Sequence, residues 1–157
     1  VTHDPLEAML ISDRIILINN GKLVQQGSTS DLYFKPISKF VAGFFGNINI
    51  FDGSIINGKL NFLMGEVSEL NLKDSSSVDV VIRNEGISLK LEKTDKSVQA
   101  KIENIRNLGY YYKIDIRLIS KQIITSHMRY IDGMFVGSEI WAEFDPSLMY
   151  IFYKENG

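Results

Sequence analysis

The chain contains no cysteine, which excludes disulfides, thiol nucleophiles and thiolate metal ligation, and fits a reducing compartment. Long hydrophobic runs are also missing. Ile15 to Ile18 and Met149 to Tyr153 fall far below the roughly 20 apolar residues a membrane-crossing helix needs, so any membrane attachment is expected through a partner. An excess of one charge is lacking too: 17 Lys and Arg stand against 19 Asp and Glu, interspersed, for a net charge of -2. Such a balance leaves no electrostatic footprint for nucleic acid or for an anionic lipid surface. Histidine is scarce, at two residues, which puts the obvious catalytic triads and metal sites out of reach. The 19 acidic residues always offer carboxylate pairs, but nothing singles one out. The opening residues form no signal-peptide pattern.

What remains is 157 residues, 45% hydrophobic and 23% charged, enough for one ordinary core or for a small domain with an appendage. The first part reads as short α and β elements. Asp4 suits a helix N-cap, Pro5 the first helical position and Glu7 the third residue after the cap, so a helix is expected from Pro5 to about Ser12. Its Leu6, Met9 and Leu10 recur at helical spacing and should pack on a sheet. That places His3 just before a helix amino terminus, where amides and the helix dipole favour an anion. Ile15 to Asn19 and Lys22 to Gln26 flank Asn20-Gly21, a favoured two-residue hairpin turn. Ser28-Thr29-Ser30-Asp31 opens a helix that Pro36 ends, and Ser38 to Phe45 forms another, with Phe40, Val41, Phe44 and Phe45 on its apolar face. These faces exceed what residues 1 to 45 can cover by themselves, so association, a swap or disorder is expected there.

From Ile48 the pattern turns to period two. Asn57-Gly58-Lys59 marks a hairpin between Ser54-Ile56 and Leu60-Met64, and Asn71 to Ser77 reads as a loop before the strand Val78 to Arg83. After a loop at Lys93 to Ser97, strands are expected at Ala100 to Ile105, Lys113 to Leu118, Gln122 to Met128, Glu139 to Phe144 and Leu148 to Tyr153. Ile114, Ile116 and Leu118 alternate with Lys113, Asp115 and Arg117, the signature of a half-buried strand. Many short strands in about 110 residues argue a small antiparallel barrel or sandwich. Trp141 and Tyr110-Tyr111-Tyr112 are the expected aromatic anchors of its packing. Barrels of this kind can stack nucleic-acid bases on aromatics, and Arg106, Lys113, Arg117 and Lys121 lie near the tyrosines. The acidic balance and the interleaved Glu103 and Asp115 argue against that use.

Gly53-Ser54-Ile55-Ile56-Asn57-Gly58-Lys59-Leu60 has the glycine spacing of a phosphate-binding loop, but leucine stands where the magnesium-holding hydroxyl belongs. It also sits in a hairpin with no helix behind it, so the spacing reads as chance. His127, inside a strand, is given no role.

The segment Val1-Thr2-His3-Asp4-Pro5-Leu6-Glu7-Ala8-Met9, followed by Ser12-Asp13-Arg14 and Ile15 to Ile18, resembles the switch-histidine region of ABC transporter ATPases. The likeness continues through Asn20 to Ser28, Asp31-Leu32-Tyr33, Lys35-Pro36, Phe40 to Gly46 and Asn49. Val81-Ile82-Arg83-Asn84-Glu85 resembles the signature of the regulatory TOBE domain of importers for sugars, polyamines and ferric iron, except that Asn84 replaces the usual proline. Phe144-Asp145-Pro146 with Phe152 resembles the last strand of that domain.

The resemblance implies a mainly β chain with a small amino-terminal α/β remnant and an OB-like, TOBE/MOP-type antiparallel barrel. Residues 1–46 would be the end of the ATPase domain and 47–157 the regulatory barrel. It also implies that the phosphate-binding apparatus lies upstream of Val1. His3 would then contact the ATP γ-phosphate in the intact subunit, where a donor stabilises charge on the transferring group. ATP and Mg would be the cofactors of that intact protein, with none in these residues. Its partners would be membrane permease subunits, a substrate-binding protein and a second ATPase subunit, at the cytoplasmic face of the bacterial inner membrane. The alternative is a stand-alone barrel sensing a small molecule or oxyanion, and a catalytic barrel ranks below both. Polyamine, ferric iron and sugar remain open as the transported substrate.

Overall fold

The computed structural model describes residues 1–68 and 71–154. They divide into two compact units, Val1–Ile48 and Asn49–Gly157.

In the first unit, α1 (Pro5–Ile11) is followed by the hairpin β1 (Ile15–Asn19) and β2 (Lys22–Gly27), then α2 (Thr29–Phe34) and α3 (Lys39–Phe44). The caps expected at Asp4 and Ser28 are in place, and Ser38, expected as the first residue of its helix, caps it instead. Asp4 Oδ1 accepts from the amides of Leu6 at 2.8 Å and Glu7 at 3.3 Å. Ser28 and Asp31 form a reciprocal capping box, and Ser38 Oγ accepts from the Val41 amide. Asn20 and Gly21 take φ of 49° and 72°, the left-handed pair that a tight hairpin turn demands.

A small core gathers Ile15 and Leu17 from β1, Leu32 from α2, and Val41 and Phe45 around α3. α1 departs from expectation. Met9 and Ala8 are half-buried against this core, but Leu6 and Leu10 are 67% and 83% exposed. The local sheet has two strands, and its inner face is already occupied by residues of α2 and α3. Phe40 likewise faces water instead of joining Val41 and Phe45.

The second unit comprises β3 (Ile48–Ile56), β4 (Lys59–Phe62), β5 (Gly65–Val67), β6 (Ser75–Arg83), β7 (Ile87–Lys90), β8 (Val98–Asn107), β9 (Tyr112–Leu118), β10 (Ile123–Met128), β11 (Glu139–Phe144) and β12 (Met149–Tyr153). Among the described residues, one five-stranded sheet runs β12, β6, β3, β4, β5 and the other β10, β9, β8, β11, β7. In the second sheet Ile124, Ile116 and Ile102 form one apolar row across β10, β9 and β8, and Leu118, Ala100 and Ile140 form a second across β9, β8 and β11. The ends of this sheet meet, because the Ser126 hydroxyl on β10 donates to the Ile87 carbonyl on β7. The core joins both sheets, packing Phe51, Ile55, Val80 and Ile82 with Ile102, Ile114, Ile116 and Ile140. The fold is therefore mainly β, with a small amino-terminal α/β region and an OB-like closure of the second sheet.

Three details differ from the sequence reading. β6 starts at Ser75, inside the expected loop, because pairing with neighbouring chain overrides the weak strand preference of serine. β5 and β7, of three and four residues, are additional strands, too short for periodicity to register. Tyr110 is 82% exposed, and Tyr111 and Trp141 are half-buried on the flank of the barrel, whereas Tyr112 packs against the core as expected.

Candidate functional site

His3 is exposed and lies two residues before the first turn of α1. The amides of that turn are not open to an anion, since the Asp4 carboxylate already accepts from Leu6 and Glu7 and the Thr2 hydroxyl donates to Glu7. His3 therefore presents its ring to the surroundings with no companion from this helix.

The glycine-lysine spacing at 53–60 is explained by packing. Gly53 lies in β3, where an added Cβ would stand 2.7 Å from Val80 Cγ2 and 3.2 Å from both Leu60 Cδ1 and Val78 Cγ2. Gly58 takes φ 71° in the β3–β4 turn, and its amide donates to Asp74 Oδ1 at 3.3 Å. The Lys59 ammonium reaches Glu66 at 3.3 Å. Nothing here converges on a phosphate.

The most organised polar constellation lies at the seam where β10 meets β3 and the 3₁₀ turn Asn84–Gly86. Asn49, buried at the start of β3, uses its side chain as a strand would: Nδ2 donates to the Thr125 carbonyl at 2.8 Å and Oδ1 accepts from the Thr125 amide at 2.8 Å. The same Nδ2 donates to Asn84 Oδ1 at 3.1 Å. Asn84 Nδ2 in turn lies 3.3 Å from His127 Nε2. The Gln122 side chain adds a further tie, donating to the Ile50 carbonyl at 2.9 Å. The Tyr111 ring packs on the His127 ring with centroids 4.4 Å apart. Burial pushes the His127 imidazole below its ordinary value, Lys113 lowers it further and Asp115 opposes them.

Beside this seam the outer face of the second sheet is polar and internally paired. An extra residue in β8, Glu103, interrupts the register with β9 and lets its carboxylate accept from Arg117 Nε at 2.7 Å. Asn104 then stands opposite Asp115, which also accepts from the Thr125 hydroxyl at 2.8 Å. On β11, Glu143 meets Lys90 and the Thr94 hydroxyl, which hold its carboxyl below the usual carboxylate range. The Lys93 ammonium sits 5.4 Å from the Trp141 ring centroid. Among the described residues no group of three or more His, Asp or Glu could hold a metal ion, and no helix is long and apolar enough to cross a membrane.

A scan against protein-family profiles finds no match. Comparison with individual proteins is more informative. The spermidine/putrescine import ATP-binding protein PotA of Clostridioides difficile (strain 630) is 31% identical over 159 residues, covering 99% of this chain and 45% of that protein. Its counterpart in Borreliella afzelii (strain PKo) is 32% identical over 158 residues, covering 99% of this chain and 44% of its own length. The chain resembles the carboxy-terminal, TOBE-bearing region of these importer subunits. It spans less than half the length of the curated relatives it matches, and it contains no phosphate-binding loop. A solved structure of the cytoplasmic molybdate-binding protein ModG, with molybdate bound, superposes with a TM-score of 0.55 at 15% identity, covering 68% of this chain and 96% of that one. That likeness establishes the TOBE/MOP-type fold of the barrel.

Of the residues singled out from sequence, His3 stands exposed ahead of α1 in the first unit. Asn49 matches the importer pattern and Asn84 departs from it, and the structure brings the two into contact. His127 has no role in the sequence reading, because nothing in a strand of alternating residues shows what its outward side will meet.

Proposed function

We propose that the chain is the carboxy-terminal regulatory part of a polyamine importer's ATP-binding subunit, with residues 1–46 the end of the ATPase domain and 47–157 the TOBE barrel. The observation that carries this reading is the match across 99% of the chain to two spermidine/putrescine import subunits. The intact subunit would bind ATP and Mg, act as a dimer, and couple hydrolysis to import through permease subunits and a substrate-binding protein at the cytoplasmic face of the membrane.

The apolar residues left open in the first unit support that reading. Ile16, Ile18 and Leu23 on the outer face of the hairpin, with Leu6 and Leu10 on α1, are each exposed by more than half. An ATPase-domain sheet laid on this face would bury them. In that setting His3 would be the switch histidine, donating toward the γ-phosphate.

The test is a chimera in which this chain replaces the matching region of the Clostridioides difficile subunit. His3→Ala should cut ATP hydrolysis by about 10²–10³-fold, the cost of losing one donor to developing charge, while MgATP binding persists. Hydrolysis within a few-fold of the parent chimera would overturn the switch assignment. Calorimetry of the 157-residue chain with molybdate addresses the oxyanion-sensing alternative, which predicts saturable heat where the importer reading predicts none.

A further inference from the structure

We propose that Asn49, Asn84 and His127 form a proton-sensitive clasp that holds the seam of the barrel closed only while His127 is neutral. Donor and acceptor bookkeeping fixes every group in it. The Thr125 amide can only donate, so the Asn49 atom facing it is the carbonyl oxygen, and the other Asn49 atom is the amide nitrogen. That nitrogen donates to the Thr125 carbonyl and to Asn84, so the Asn84 atom it meets is Oδ1. The remaining Asn84 atom, Nδ2, is then a donor aimed at His127 Nε2. His127 Nε2 must therefore be an unprotonated acceptor, and the ring proton resides on Nδ1.

The orientation is inherited from the backbone amide at the far end of the relay, which leaves neither asparagine free to flip. Asn49 and Asn84 are buried, so bulk water cannot readily replace a lost partner. Protonation of His127 would place N–H against N–H₂. The clasp would then open at the Asn84 contact, and its loosening would pass to Asn49 and the edge of β10.

The charges facing His127 are mixed. On β9, Lys113 is its register partner and disfavours the charged ring, while Asp115 favours it. Arg106 stands behind Lys113 on β8, and from the 3₁₀ turn Glu85 acts on the neighbouring Tyr111. Burial sides with Lys113, so the folded value lies below the ordinary 6.5. A group depressed in the folded state contributes stability that is complete above its unfolded value and is lost as pH falls through the folded one. The clasp is thus closed at neutral pH and opens in mild acid.

The test follows hydrogen exchange at the Thr125 amide of the whole chain between about pH 7.5 and 5, corrected for intrinsic chemistry, together with the ¹⁵N shifts of the His127 ring. Thr125 protection should fall roughly fivefold or more as the ring titrates, the size expected for one net hydrogen bond. The ring should carry its proton on Nδ1 at neutral pH. Asn84→Asp should reverse the sign, because a carboxylate accepts from charged His127: the ring titrates at higher pH and Thr125 stays protected in mild acid. His127→Gln should leave Thr125 exchange without a pH step. An Nε2-protonated ring at neutral pH, or Thr125 protection that ignores His127 titration in the wild type, overturns the proposal whatever the variants do.

Discussion

At the residue scale, Asn49 shows how one side chain can stand in for a strand. It satisfies both backbone groups of Thr125 at the open side of β10, and it does so from a buried position. Asn49→Ala leaves that amide and carbonyl without their partner, and it should lower unfolding free energy by about 1–3 kcal/mol, read from the denaturant midpoint at constant slope. Glu143 gives a prediction in pH. Lys90, then Thr94, hold its carboxyl below the ordinary range. Its contribution is therefore complete above the unfolded carboxylate value and vanishes as pH falls through the lower folded one. Lys90→Ala should return the Glu143 carboxyl, followed by NMR titration, upward toward that ordinary value. Neither partnership is legible in the sequence: Asn49 lies 76 residues from Thr125, and Lys90 lies 53 from Glu143.

At the scale of the element, local chemistry dominates in the first unit and packing in the second. The Ser28–Asp31 capping box is written in adjacent residues and is legible in the sequence alone. Ser28→Ala should cost about 0.5–2 kcal/mol, measured by thermal or denaturant unfolding of the first unit. Gly53 illustrates the opposite case. Its neighbours in sequence mimic a phosphate loop by chance, and only the packing of β3 on β6 supplies its reason. Gly53→Ala would press a methyl onto Val80, a stiff β-branched side chain, and should destabilise by about 1–3 kcal/mol. A stability equal to wild type would show that β6 yields more readily than its two-sided burial implies. The short strands β5 and β7 escape the sequence reading for a related reason, since three or four residues cannot display a period until neighbouring strands pair with them.

At the scale of the whole molecule, the two units differ in how much apolar surface each can bury. Among the described residues the first has a small core cluster of Ile15, Leu17, Leu32, Val41 and Phe45, whereas the second gathers a larger one drawn from both sheets. Small cores open more readily than large ones. Amide exchange of the intact chain should therefore find Ile114 and Ile116 protected about tenfold or more beyond Leu32 and Val41. Equal protection in both units would mean that they unfold as one. The exposed Ile16, Ile18 and Leu23 fit the same view, because a two-stranded hairpin has one face its own helices can cover and another they cannot.

The sequence by itself determined the local punctuation: the caps at Asp4 and Ser28, the turns at Asn20-Gly21 and Asn57-Gly58, the alternation of Ile114 to Leu118, and the likeness to an importer's regulatory end. Each of these depends on residues within a few positions of one another, where backbone sterics and periodicity act without long-range help. Tertiary structure alone decided the exposure of Leu6, Leu10 and Tyr110, the need for glycine at 53, and the meeting of Asn49, Asn84 and His127. Those depend on which surfaces closure of the barrel and the size of a small core leave covered, and contacts across tens of residues follow from chain topology and carry no signal in local sequence.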